Sequence, residues 1–218
     1  LNKLISTKAK LLLLLNSKLI YLKRIAIFAS GSGSNAQRIM EHFKRHKEME
    51  VAIVLSNRAD SYVLQRADNF EIPTHVFSKE ELYDSSVILQ LLKNLDVDLI
   101  VLAGFLWLIP ENIIAQYPKR IINIHPALLP KYGGKGMYGD KIHEKVLANQ
   151  DAETGITIHF VNESFDEGEI IYQNKCLVEK SDTVEKLAYR VHQLEHVHYP
   201  RVIEDLLKKT EKANLALK

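Results

Sequence analysis

At 218 residues and 25.0 kDa, the chain is long enough to bury a substantial core, and one globular domain is the default. With 46% hydrophobic residues, 26% charged residues and a formal charge of +2, its composition announces neither a membrane protein nor a nucleic-acid binder. Its only cysteine, Cys176, excludes an internal disulfide and a cysteine-built zinc site, and is expected simply to pack within a strand.

Residues 1–23, LNKLISTKAKLLLLLNSKLIYLK, combine lysines with a run of five leucines. Asn16, Ser17 and Lys18 break that run, no clear small-residue cleavage site follows, and the apolar stretch falls short of the roughly 20 residues that span a bilayer. The segment is expected to be a basic amphipathic extension of unknown role rather than a leader or an anchor.

A regular pattern starts at Arg24. RIAIFA (24–29) reads as a short buried strand, and NAQRIMEHFKRH (35–46) carries apolar residues at helical spacing. The alternation continues through a strand at 51–56, a helix near 61–70, a short strand at 74–77, a helix near 79–95, and strands at 98–104 and 120–125. Continuous β-branched runs separated by helices predict an α/β fold: a Rossmann-like, open, mostly parallel sheet covered by helices on both faces. TGITIHFV (154–161) and GEIIYQNKCLV (168–178) predict two added strands, read as a possible antiparallel pair, and a helix over about 183–207 closes the domain. The expected organisation is an extension (1–23), one domain (24–208) and a tail (209–218).

In open parallel sheets, ligands gather beyond the carboxyl ends of the strands. Three loops should meet there: SGSGSN (30–35), AGFLWLIP (103–110) and NIHPALLP (123–130). In the first, Gly33, Ser34 and Asn35 suit an anion cradle at a helix start, or a plain turn with Asn35 as cap. In the third, strand alternation puts Asn123 and His125 on one face, where a histidine is either catalytic or structural. Asp166, in the FDEGE turn (165–169), is either a partner for them or surface punctuation. HQLEHVH (192–198) places His192 and His196 one helical turn apart, but no second ligand cluster accompanies them, and no metal is expected.

Taken in order, ASGSGSN, VLAGF, INIHPALLPKY, TGITIHFV, FDEGEII and QLEHVHYPRVI make residues from about 24 to about 207 resemble the glycinamide ribonucleotide formyltransferases of purine synthesis. The resemblance implies transfer of a formyl group from 10-formyltetrahydrofolate, as co-substrate, to the amine of glycinamide ribonucleotide, without a metal. It implies catalytic roles for Asn123, His125 and Asp166, with Asp166 favouring the imidazolium form of His125. Substrate phosphate would lie at Gly33, Ser34 and Asn35, and the sugar or glycinamide portion at Glu195. The folate would lie along Leu106, Trp107, Leu108 and Ile109 and near Asn123. Two departures stand out. Trp107 occupies a place where many relatives carry arginine, and the loop at 131–145, which contains His143, is several residues longer than usual.

The implied setting is cytoplasmic, with small-molecule substrates, no nucleic acid or membrane partner, and a monomer or homodimer. Related methionyl-tRNA formyltransferases carry an added carboxyl-terminal domain and formyltetrahydrofolate hydrolases a leading one, so the sugar amine formyltransferases are the nearer alternative. A non-catalytic module binding folate or nucleotide on the same rim is the alternative of another class. Convergence of Asn123, His125 and Asp166 around one polar void separates an enzyme from such a module.

Overall fold

A computed structural model describes residues 22–216. The proposed extension lies outside the described residues as far as residue 21, and Lys23 already opens the first strand. The elements follow as β1 (Lys23–Phe28), α1 (Ser34–Phe43), β2 (Met49–Ser56), α2 (Tyr62–Asp68), β3 (Thr74–Val76), α3 (Val87–Asn94), β4 (Leu99–Leu102), α4 (Glu111–Gln116), β5 (Ile121–His125), α5 (Asp140–Ala148), β6 (Glu153–Phe160), β7 (Ile170–Leu177) and α6 (Val184–Ala216). They build one seven-stranded sheet in the order β3-β2-β1-β4-β5-β6-β7. The pairs from β3 to β5 are parallel, whereas β6 runs antiparallel to β5 and to β7.

The strand alternation explains why both faces are covered. Ile25 and Ile27 of β1 point into a core shared with Ile39 and Met40 of α1 and Tyr199 and Ile203 of α6. Ala26 and Phe28 point the other way, into a core with Ile88 and Leu92 of α3 and Ile113 of α4. Such a strand has no solvent face, so it reads as an unbroken apolar run rather than an alternating one. Helix α1 matches it by setting Ala36, Ile39, Met40 and Phe43 on one buried stripe.

Three local expectations change. The helix near 79–95 is two pieces, a π-helical turn at Glu80–Asp84 and then α3, because Ser85 adopts an extended conformation between them. The stretch 131–145 is not loop throughout, since α5 begins at Asp140. The closing helix continues past residue 207 to Ala216. Among the described residues no helix is long and apolar enough to cross a membrane.

Candidate active site

At the end of β1 the chain must turn into α1, and it does so through Gly33 at φ 72°, a left-handed conformation that favours glycine. A methyl group there would also overlap the side chain of Val63. The loop is held from behind. Ser61 Oγ donates to the Gly31 carbonyl (2.8 Å), and Arg66 Nε donates to the Ser32 carbonyl (2.7 Å). Carbonyls are thereby tied to the α2 side, while the first amides of α1 have no acceptor within their own helix. Nothing lies within 4 Å of where a Cβ of Gly31 would stand, so the approach to the loop is open. Asn35 is not a cap. It is the second residue of α1, and its Nδ2 donates a 2.8 Å bond to buried Glu195 on α6, leaving its buried Oδ1 without a partner among the described residues.

Across the rim, Asn123 and His125 leave the same face of β5 and meet Asp166. Asn123 Nδ2 lies 3.4 Å from Asp166 Oδ1, and His125 Nδ1 lies 3.4 Å from Asp166 Oδ2. A fourth side chain joins them. His159 stands opposite Asn123 in the antiparallel β5–β6 register, and its Nε2 lies 3.2 Å from Asn123 Nδ2. Its Nδ1 is 2.8 Å from the Phe160 carbonyl, which can only accept, so the proton sits on Nδ1 and Nε2 accepts from Asn123. By the same reasoning His125 Nε2 carries a proton, which it donates to the Tyr132 carbonyl at 2.8 Å.

Asp166 sits in the left-handed region at φ 60°. This turns its carboxylate back over the sheet, where the Gly134 amide donates to Oδ2 (3.0 Å). Thr157 fixes the loop after β5: its Oγ donates to the Ala127 carbonyl (2.7 Å) and accepts from the Leu129 amide (3.0 Å). Gln173 Nε2 braces both Thr157 Oγ (2.9 Å) and the Leu129 carbonyl (3.0 Å).

The charges follow from burial and contact. Burial opposes the charge on Asp166, but the contact with His159, the field of His125 and the Gly134 amide outweigh it, so its pKa lies below the usual carboxylate value. For His125 burial is the larger effect and lowers its pKa, despite the opposing influence of Asp166 and of the bond to Tyr132. Asp166 does favour the imidazolium form of His125, but burial outweighs it. The two directions describe an ionised Asp166 facing a largely neutral His125, whose Nδ1 has room for a proton.

These loops border one cleft of about 570 Å³, lined by Gly31 to Asn35, by Ala103 to Trp107, by Asn123 to Pro126, by Gly134 to Gly139, and by Phe165, Asp166, His192 and Glu195. A family model described as formyl transferase matches residues 23–203. The chain belongs to the formyl transferase family. It is 41% identical over 187 residues to phosphoribosylglycinamide formyltransferase, chloroplastic, of Arabidopsis thaliana, covering 83% of this chain and 64% of that relative. With phosphoribosylglycinamide formyltransferase of Bacillus subtilis the identity is 35% over 191 residues, covering 85% and 95%. The crystal structure of phosphoribosylglycinamide formyltransferase from Bacillus halodurans superposes with a TM-score of 0.77 at 36% identity, covering 86% of this chain and 97% of that one.

In this member of the formyl transferase family the cleft brings together Asn123, His125 and Asp166, the loop Gly33 to Asn35, and Glu195. It takes in Leu106 and Trp107 but not Leu108 or Ile109. Ile109 is 3% exposed and belongs to the core, and the Leu108 carbonyl accepts from Tyr83 Oη (2.9 Å). The ring of Trp107 packs against Phe77, Phe105 and Tyr83, with Lys79 Nζ 5.5 Å from its centre. His143 is buried in α5, and burial together with nearby His192 lowers its pKa to about 4. His192 and His196 stack with ring centres 6.2 Å apart, and among the described residues no group of three or more His, Cys, Asp or Glu could hold a metal. His159, Thr157 and Gln173 went unnoticed in the sequence, where each looks like an ordinary strand residue. The available signal was register: an antiparallel strand after β5 must set some residue opposite Asn123.

Proposed function

We propose that this chain transfers the formyl group of 10-formyltetrahydrofolate to the amine of N1-(5-phospho-D-ribosyl)glycinamide, a step of de novo purine synthesis. The observation that carries this reading is the convergence of Asn123, His125 and Asp166 on the wall of a cleft that also contains an anion-cradling helix start. A module that only binds has no need of that convergence. The relatives named phosphoribosylglycinamide formyltransferase support the choice of amine.

The reaction forms a bond from the substrate nitrogen to the formyl carbon and breaks the bond from that carbon to N10 of the folate. The amine loses one proton, and N10 of the departing tetrahydrofolate gains one. Between these events the carbon is tetrahedral and its oxygen carries negative charge. Asn123 Nδ2 donates to that oxygen in exchange for its long contact with Asp166, and His125 becomes a second donor once its Nδ1 has gained a proton. His125 Nδ1, facing ionised Asp166, takes the proton that the amine loses, and the imidazolium so formed is stabilised by the carboxylate. It then supplies a proton to N10. His159 is a positioning residue that holds Asn123 by accepting from its amide.

The phosphate sits against the Gly33, Ser34 and Asn35 amides, and Asn35 Oδ1 accepts from an N–H of the substrate. Leu106 and Trp107 form the apolar wall for the folate ring system. Residues 24–208 are the catalytic domain. The experiment is incubation of the purified full chain with both substrates, following loss of the formyl donor and appearance of the formylated amine. Consumption of donor without formylated product, or no consumption, overturns the reading. Formylation of a nucleotide sugar amine in preference to the glycinamide replaces it with the nearer alternative.

A further inference from the structure

The cleft is poor in fixed positive charge. Lys135 is the only lysine or arginine among its lining residues, and the cleft also holds Asp166 and Glu195. A doubly charged phosphate entering there meets helix amides, two histidines, His125 and His192, and an ionised aspartate. Amide dipoles alone are a weak counterweight to two negative charges beside a carboxylate.

Lys135 is set apart from the other lysines of its stretch. Lys131 Nζ pairs with Asp151 (2.9 Å), Lys141 Nζ lies over the Tyr138 ring (4.8 Å), and Lys145 Nζ contacts Met137 Sδ (3.2 Å). Lys135 makes no hydrogen bond, ion pair or ring contact among the described residues. It stands between Gly134 at φ 97° and Gly136 at φ 86°, two left-handed positions where a Cβ would meet nothing within 4 Å. Glycine is required there by backbone conformation and not by crowding. The preceding residue, Gly134, gives its amide to Asp166.

We infer that Lys135 is the counter-charge for the substrate's phosphate, reaching it from the glycine-flanked loop opposite the α1 amino terminus. This deepens the formyl-transfer reading and rests on it for the identity of the amine. Because Lys135 and Gly134 are consecutive, fixing the ammonium on the phosphate also fixes the amide that holds Asp166. One substrate group then both anchors the molecule and steadies the carboxylate that serves the reaction.

The test compares wild type, Lys135→Gln and Lys135→Arg of the full chain in steady-state formyl transfer, using the phosphorylated amine and its dephosphorylated counterpart. Lys135→Gln is expected to raise KM for the phosphorylated amine about 10- to 100-fold, the range of a charge-assisted hydrogen bond. KM for the formyl donor and the kinetics of the dephosphorylated amine should not change, and Lys135→Arg should recover most of the loss. An unchanged KM for the phosphorylated amine overturns the assignment. So does an equal loss on both amines, which marks a structural role, or a loss confined to the formyl donor, which assigns Lys135 to the folate's carboxylates. Calorimetric binding of inorganic phosphate needs no turnover and separates the two readings. Weaker phosphate binding by Lys135→Gln supports the lysine even if the wild type proves not to formylate this amine, and equal binding by both proteins refutes it.

Discussion

Asn35 and Glu195 are joined by a 2.8 Å hydrogen bond across 160 residues of chain, tying the loop after β1 to the closing helix. Glu195 is 4% exposed, and burial pushes its pKa up against the opposing bond from Asn35 and the charge of His192. The first prediction separates Asn35 from its neighbour Ser34. Asn35→Ala strips a buried carboxyl group of its partner and should lower stability by about 1–3 kcal/mol in urea unfolding. Ser34→Ala should leave stability within about 0.5 kcal/mol. Both should raise KM for the phosphorylated amine. An Asn35→Ala protein as stable as wild type would show that the Glu195 contact is not the support assigned to it.

The sequence disclosed the sheet more readily than the site. Runs such as RIAIFA and DLIVLAG announce strands because burial on both faces leaves no polar position to interrupt them. Helix α4, only six residues after Pro110, is too short to show a period, and α5 was hidden by the glycines before it. Asn123, His125 and Asp166 were legible because loops at strand ends are where unusual polar residues collect. His159 was not, because a polar residue in an alternating strand reads as a solvent-facing one until its neighbour in the sheet is known. Ile109 fails in the opposite sense: it lies in the right loop, yet its side chain turns into the core.

A second prediction concerns the carboxylate. Asp166→Asn keeps the shape of the side chain but removes the charge that faces His125 Nδ1 at 3.4 Å. Turnover should fall by about 100- to 10,000-fold with little change in KM, as for loss of general acid–base assistance. His159→Ala should also reduce turnover, since Asn123 loses the acceptor that orients it. His159→Gln, which can still accept from Asn123, should be less affected. Normal turnover in a folded Asp166→Asn protein would remove Asp166 from the mechanism.

The third prediction tests the turn that aims Asp166. Gly168 lies directly against the Phe160 carbonyl, so an added methyl would overlap backbone and not a movable side chain. Gly168→Ala must therefore shift the turn between β6 and β7, carrying Asp166 with it. Turnover should drop although no residue that touches substrate has been replaced. A crystal structure of the variant should show Asp166 displaced from His125. Unaltered turnover would mean that the placement of this carboxylate tolerates movement.

The fourth prediction addresses the boundary of the domain. The sheet begins at Lys23, whose Nζ pairs with Asp98 (2.9 Å), so a cut before residue 22 spares every described strand. A protein lacking residues 1–21 should retain turnover and KM for both substrates. A folded truncation without activity would show that the segment contributes to the site.

The last prediction takes its sign from the opposed influences on His125. Burial lowers its pKa from the ordinary 6.5, and the charge of Asp166 works in the raising direction without overcoming that. An NMR titration of the His125 ring should have its midpoint below pH 6.5, so the ring is mostly neutral at pH 7 and can take a proton. Because Asp166 favours the charged form, Asp166→Asn should move the midpoint lower still. In linkage terms, a base whose folded pKa lies below its unfolded value is protonated more readily in the unfolded chain, so its burial destabilises the fold as pH drops through the unfolded pKa towards the folded one. Asp166 works against this, and wild type should therefore lose less stability than Asp166→Asn between about pH 7 and pH 6 from this group. A rise on replacing Asp166 would mean that the carboxylate does not favour the charged ring, and a wild-type midpoint above 6.5 would mean that the ring is held as an imidazolium. His125 would then begin the reaction as a proton donor, and the amine's proton would have to leave by another route.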